Sequence, residues 1–230
     1  MAGKLIECVP NFSEGRRQDV IEAIVAPFRA TKGCGLLDYR ADADHNRLVV
    51  SLAGSPEPVQ EALLKAAAVA VQKIDMNSHQ GAHPRIGAVD VIPFTPVSNI
   101  SMEECVALSH SFGERYWKEL GVPVYFYEDS AKRPERKRLE VIRKGQYETL
   151  KTESVTPERA PDVGGPALHP TAGATVMGAR KFLVAFNVNL NTADEEIAKK
   201  IANCVRASSG GFCHVKGMGV ALHERGMAQV

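Results

Sequence analysis

Residues 35–58 read GLLDYRADADHNRLVVSLAGSPEP: two strand-like runs, 35–39 and 47–52, on either side of a polar loop, followed by a helix start. Gly33 punctuates the chain ahead of the first run, and Gly35 opens it. Ser55-Pro56-Glu57-Pro58 then opens an alanine-rich helix ending near Ile74. Two strands in succession before a helix place neighbouring strands side by side. That favours a mixed or antiparallel sheet covered by helices, a split βαβ arrangement, over an all-parallel sheet.

The same alternation continues outward. Residues 4–9 form a short strand ending at Pro10, and Val20, Ile21, Ile24 and Phe28 mark a helical stripe over 17–30. A strand is expected at 88–94 and a helix at 102–120, with Ser101 as N-cap and Glu104 as its capping-box partner. Residues 122–127 read as a strand and 133–142 as a basic helical piece, the latter most simply a solvated face. Pro157, Pro161, Gly164, Gly165, Pro166, Pro170 and Gly173 then give residues 151–178 the character of an ordered linker.

A second unit begins beyond it, with an apolar strand at 181–190, a helix capped by 192–196 and a strand at 215–224. The expected fold class is therefore α+β, an α/β sandwich, with domains at 1–178 and 179–230. So small a second unit cannot bury its own core, and is expected to be incomplete or docked on the first.

At 230 residues, with 44% apolar and 24% charged, the composition is that of an ordinary globular chain. No apolar run is long enough to cross a bilayer, and the N-terminus has no signal-peptide layout, so a cytoplasmic location is the default. A net charge of +1 favours neither nucleic acid nor a membrane surface as partner. Five scattered cysteines without a CxxC argue against a disulfide framework or a zinc site. Standard phosphate loops and a GxSxG elbow are absent, so acid–base chemistry is expected rather than covalent catalysis.

Four polar clusters fall at strand ends or loops. Cys8-Val9-Pro10-Asn11-Phe12-Ser13-Glu14-Gly15 offers Asn11, which can hold an amide or carboxylate or simply cap the next helix. Asp42-Ala43-Asp44-His45-Asn46-Arg47 is either a hairpin tip or a site. In Ser78-His79-Gln80-Gly81-Ala82-His83-Pro84-Arg85, Pro84 pushes His83 out of the helical region and Gly81 relaxes the path into it. That backbone suits an imidazole offered to a ligand, with a structural histidine as the alternative. His79 and His83 have the i,i+4 spacing of a helical metal pair, but the glycine and proline argue against a helix and no third ligand is nearby. The fourth cluster runs from His169 to Arg180 and on to Asn187 and Asn189, which share one face of the expected strand.

Together the segments CVPNFSEG, LLDYRADADHNR, IDMNSHQGAHPRIGAVDVIPF, HPTAGATVMGARKFLVAFNVNL and KGMGVALHERGMAQV resemble the formiminotransferase family, in order and over the whole chain. The resemblance implies two ferredoxin-like subdomains with a tetrahydrofolate cleft between them. It implies transfer of a formimino group from N-formiminoglutamate to N5 of tetrahydrofolate, the folate being a co-substrate and no metal being needed. His83 corresponds to the family's catalytic histidine and Asn11 to its ligand-contacting asparagine. Arg180 and Asn187 are expected near the substrate. Asp44, His45, Asn46, Arg47 and Arg85 complete the expected binding set.

Arg40 departs from the family, which often carries an acidic residue just after LLD-x, and Asp42 or Asp44 is expected to substitute. Family members continue past the point matching Val230, in keeping with an incomplete second unit. A homodimer is expected. A folate-binding module without turnover, or a transferase using N-formylglutamate, are the alternatives.

Overall fold

Strand β1 (Leu5–Cys8) and the two-residue β2 (Asn11–Phe12) run along the same neighbours, interrupted at Pro10. The computed structural model describes residues 3–230, without the side chain of Glu224, so Met1 and Ala2 at the head of the expected N-terminal segment lie outside the described residues. Helix α1 (Gln18–Ala30) follows and buries Val20, Ile21, Ile24, Val25 and Phe28, the stripe its periodicity predicts plus one residue. Strands β3 (Cys34–Asp42) and β4 (Arg47–Gly54) form an antiparallel hairpin with register from Cys34↔Gly54 to Asp42↔Arg47. Helix α2 (Pro56–Lys73) then leads through the His83 loop into β5 (Val89–Ser98).

β1 pairs antiparallel with both β4 and β5, so the spatial order is β3, β4, β1/β2, β5. This is the split βαβ connection made twice, the ferredoxin-like pattern. Helix α3 (Met102–Leu120) starts at the capping box of Ser101 and Glu104 and stops at Gly121, which has a φ of 66° in the left-handed region. It crosses to β6 (Val124–Phe126), and the sheet is completed by β7 (Thr175–Ala179), which lies parallel between β5 and β6.

β7 corrects the reading of 151–178 as a linker. Its five residues TVMGA are all buried, so no alternation marked them, and the glycines and prolines before them masked the strand. Burial on both faces has a visible cause. Met177 and Phe126 belong to the main core with Ile92 and Phe94, whereas Val176, Tyr125 and Val91 pack with Ile142 and Leu150 on the other side. Ile142 and Leu150 come from α4 (Leu139–Ile142) and α5 (Gln146–Glu153). The expected basic helix at 133–142 is thus two shorter pieces, a 3-10 turn at Pro134–Lys137 and α4.

The chain divides into two units, Met1–Phe182 and Leu183–Val230. In the second unit, α6 (Glu195–Val205) is capped by Asp194, and β8 (Val220–Leu222) pairs antiparallel with β9 (Met227–Gln229). The strand expected at 181–190 is not formed as such. Val188 and Leu190 bond backbone to backbone with Val230 and Ala228, Asn189 bridges to Gln229, and the segment before them is extended and exposed. Its apolar composition predicts a strand, but without a ladder partner along its length it gains neither pairing nor burial. Likewise the strand expected over 215–224 shrinks to β8. Among the described residues no helix is long and apolar enough to cross a membrane. Cys8, Cys34 and Cys105 are buried free thiols, while Cys204 and Cys213 are exposed.

Candidate active site

Three loops of the first unit converge beside the start of β5, and Asn46 ties them together. It sits at the tip of the β3–β4 hairpin with φ 46°, a left-handed conformation asparagine tolerates. Its Oδ1 accepts the Gly15 N–H at 2.9 Å, and its Nδ2 donates to the Gln80 carbonyl at 2.9 Å. Two residues earlier in the same hairpin, the Asp44 carbonyl accepts the Ala82 N–H at 3.0 Å. Gly81 makes this approach possible, since a Cβ there would run into the His45 carbonyl and the Asn46 side chain. Asp44 and Asn46 are both buried, as such anchoring requires.

Arg85 fixes the other side of the same loop. Its Nε donates to His79 Nδ1 at 3.0 Å, its Nη2 to the His79 carbonyl at 2.8 Å, and both terminal nitrogens reach Glu148. A guanidinium only donates, so Nδ1 of His79 is the bare nitrogen and Nε2 carries the proton. Nε2 accordingly donates to the Asn46 carbonyl at 3.0 Å. Burial holds His79 below the ordinary histidine range, and the bond from Arg85 holds Glu148 below the carboxylate range. With both ring nitrogens engaged, and no helix beneath them, His79 and His83 do not form the metal pair their spacing suggests.

His83 rides on this braced loop and is half-buried. Arg47 Nη1 lies 2.8 Å from its Nε2, so here, unlike in His79, Nε2 is the acceptor, and the imidazole is neutral. Proline offers only a carbonyl, so the backbone hydrogen bond to Pro84 is donated by Nδ1. Burial, then Arg47, Arg143 and His45, push His83 down to about 2. Asn11, expected as a ligand contact, accepts a 3.3 Å bond from the same Arg47 Nη1. The buried His45 ring stands edge-on to His83 with centroids 6.1 Å apart. Phe12, Ser13, His45, Arg47, His83 and Asp90 help to line a cavity of about 10 Å³, room for one water.

Sequence reasoning missed Asp90 and Arg143. Asp90 Oδ1 accepts the Ile86 N–H at 2.8 Å, and its Oδ2 is ion-paired with Arg143 at the end of α4. Their side chains are only 3% and 14% exposed. The signal was present in Ala88-Val89-Asp90-Val91-Ile92, because a carboxylate inside an apolar strand needs a cation. Which cation answers it is decided by the α4–α5 turn, where Tyr147 N–H also bonds the Arg85 carbonyl at 3.0 Å.

One expected residue of the first unit, Arg180, is not brought to this cluster. Arg180 follows β7, where its N–H bonds the Phe94 carbonyl and its side chain reaches Tyr127 and the Lys181 carbonyl. At about 3.3 Å per residue, Val89 to Phe94 puts Arg180 roughly 16 Å along the strand from the His83 end. Asn187 belongs to the second unit and is exposed on the extended segment, while Asn189 accepts a bond from Gln229.

The sequence matches the family described as formiminotransferase domain, N-terminal subdomain, over residues 5–180. It is 49% identical over 227 residues to a glutamate formimidoyltransferase of Streptococcus pyogenes, covering 99% of this chain and 76% of that protein. It is 43% identical to a glutamate formimidoyltransferase of Thermoplasma acidophilum, covering 98% of this chain and 75% of that protein. It is also 49% identical over 233 residues to a formimidoyltransferase-cyclodeaminase of Gallus gallus, covering 99% of this chain. The chain spans 43% of the length of that last protein.

Proposed function

The chain belongs to the formiminotransferase family of transferases, and from that premise we propose that it moves a formimino group from N-formimino-L-glutamate to N5 of tetrahydrofolate. This is a step of histidine degradation and one-carbon metabolism. Residues 1–178 act in this reading as the family's N-terminal subdomain and 179–230 as part of its C-terminal one. The observation that carries the reading is His83, neutral and half-buried at the pocket, with its Nε2 lone pair held by Arg47.

The chemistry follows from that lone pair. N5 of the reduced pterin attacks the formimino carbon and gives a tetrahedral adduct. His83 takes the proton from the attacking nitrogen and returns one to the departing glutamate nitrogen, and glutamate leaves. Such help is worth roughly 10²–10⁴-fold in rate. Asn11 and Arg47, bonded to each other at the pocket, orient the donor. His45 packs against the His83 ring. Asp44, Asn46 and Arg85 keep the loop in place through the bonds described above. Arg180 and Asn187 are assigned to the folate. The chain works on small molecules, as a homodimer in the cytoplasm.

A second reading, a folate-binding module without turnover, is favoured by the exposed apolar residues of the second unit. Mixing the protein with tetrahydrofolate and N-formimino-L-glutamate, while following glutamate release and the mass of the folate, separates the two. Release with formimino transfer is the expected result. Folate binding without release supports the module, and equal release from N-formyl-L-glutamate would change the donor.

A further inference from the structure

His83 has two guanidinium neighbours, and only one of them is answered by a carboxylate. Arg143 is paired with Asp90, whereas Arg47 bonds Asn11 and His83 and makes no ion pair among the described residues. The Nε–H of Arg143 is in addition buried with no partner among the described residues. Asp90, the partner of Arg143, lines the same pocket as Arg47 and His83, so the two guanidinium groups meet at one carboxylate.

The charges that face His83 come from every element around it. The hairpin contributes Arg47 and His45, with Asp42 acting on Arg47 from the same loop. β5 contributes Asp90 and the end of α4 contributes Arg143. His79 is held neutral and Arg85 is matched by Glu148. Against Arg47 and Arg143 there is one carboxylate in direct contact, that of Asp90. Arg47 is left without a carboxylate in direct contact among the described residues, and both arginines still reach the surface in part.

A guanidinium bonds a carboxylate more strongly than a neutral imidazole nitrogen, and it can do so through two parallel N–H groups. We propose that Arg143 and Arg47 form a subsite for a carboxylate of the amino-acid donor, and that the carboxylate seated there draws Arg47 off His83 Nε2 and frees that nitrogen for the reaction. For the identity of the donor the proposal rests on the formimino-transfer reading. The arriving negative charge also cancels much of the repulsion that keeps His83 from accepting a proton. The base therefore becomes competent only once substrate is in place, and Arg143, which need not touch the reacting atoms, acts as a positioning residue.

The test uses the whole chain carrying ¹⁵N-labelled histidine, with the His83 signals assigned through His83→Asn. N-acetyl-L-glutamate, an unreactive dicarboxylate, is titrated in, with its uncharged diamide as control. The expected result is a change of the His83 Nε2 resonance on saturation at neutral pH, where the probe is a dianion, with no effect of the diamide. Arg143→Lys, which keeps a cation for Asp90, is expected to weaken N-acetyl-L-glutamate binding and raise KM for the donor about tenfold. No binding, binding that leaves the His83 signal unmoved, or an Arg143→Lys variant that binds as well as the native protein would overturn the proposal. A transfer assay on the same sample keeps the two ideas apart. Turnover with an unmoved His83 signal removes the subsite alone, while a moved signal without turnover removes the proposed reaction alone.

Discussion

Phe28 and Phe186 are the same side chain in opposite surroundings. Phe28 is fully buried on α1, edge-on to Phe12 at 6.3 Å. Phe186, in the second unit, is 81% exposed, beside Val184 at 88%. The contrast holds across the two units. The first fills both faces of β5, β7 and β6, while the second buries mainly Ala198, Ala202, Val220, Leu222 and Ala228 and leaves Ile197, Ile201 and Phe212 at the surface. A close-packed scaffold is what allows a loop to be held to within tenths of an ångström. The first unit therefore supplies the whole described His83 cluster from its own residues.

The largest effect expected from this contrast is on stability. Phe28→Ala should cost about 3–5 kcal/mol, and Phe186→Ala should stay within about 0.5 kcal/mol. Urea titrations of both variants check it, and comparable losses would break the distinction between the units. Breaking the buried ion pair comes next. Asp90→Ala leaves Arg143 without its partner and should cost about 3 kcal/mol, read from the same titration.

The smallest effect is on pH dependence. Burial holds His79, His83 and His169 below the ordinary histidine value, and all three lie in the first unit. Below about pH 6.5 the unfolded chain binds protons that the folded chain refuses. Their contribution is therefore complete above that pH and is lost as the pH falls, by at most about 1.4 kcal/mol per pH unit for each histidine. Denaturation midpoints between pH 7 and 5 should fall, and fall less steeply in His83→Asn. A slope that the substitution leaves unchanged would mean His83 is not buried neutral.

How legible the molecule is in its sequence follows the same division. The hairpin, α1, α2, α3 and the capping box of Ser101 are local patterns, and periodicity with cap chemistry finds them. β7 is invisible to periodicity because it is buried on both faces, and the segment after it looks like a strand although its partner positions are mostly empty. In the site, His83 was marked by its own neighbours Gly81 and Pro84. Arg143 was not, because its role depends on a turn that returns to β5 after more than fifty residues of chain. Arg85 was expected to bind substrate, but its donors brace His79 and Glu148, which only the three-dimensional pairing reveals.

In the proposed formimino transfer, His83 carries the proton. Single-turnover measurement of the native chain against His83→Ala, with saturating tetrahydrofolate and N-formimino-L-glutamate, tests it most directly. The expected rate of the variant is lower by roughly 10²–10⁴-fold with folate binding retained. A variant that transfers at the native rate would contradict it.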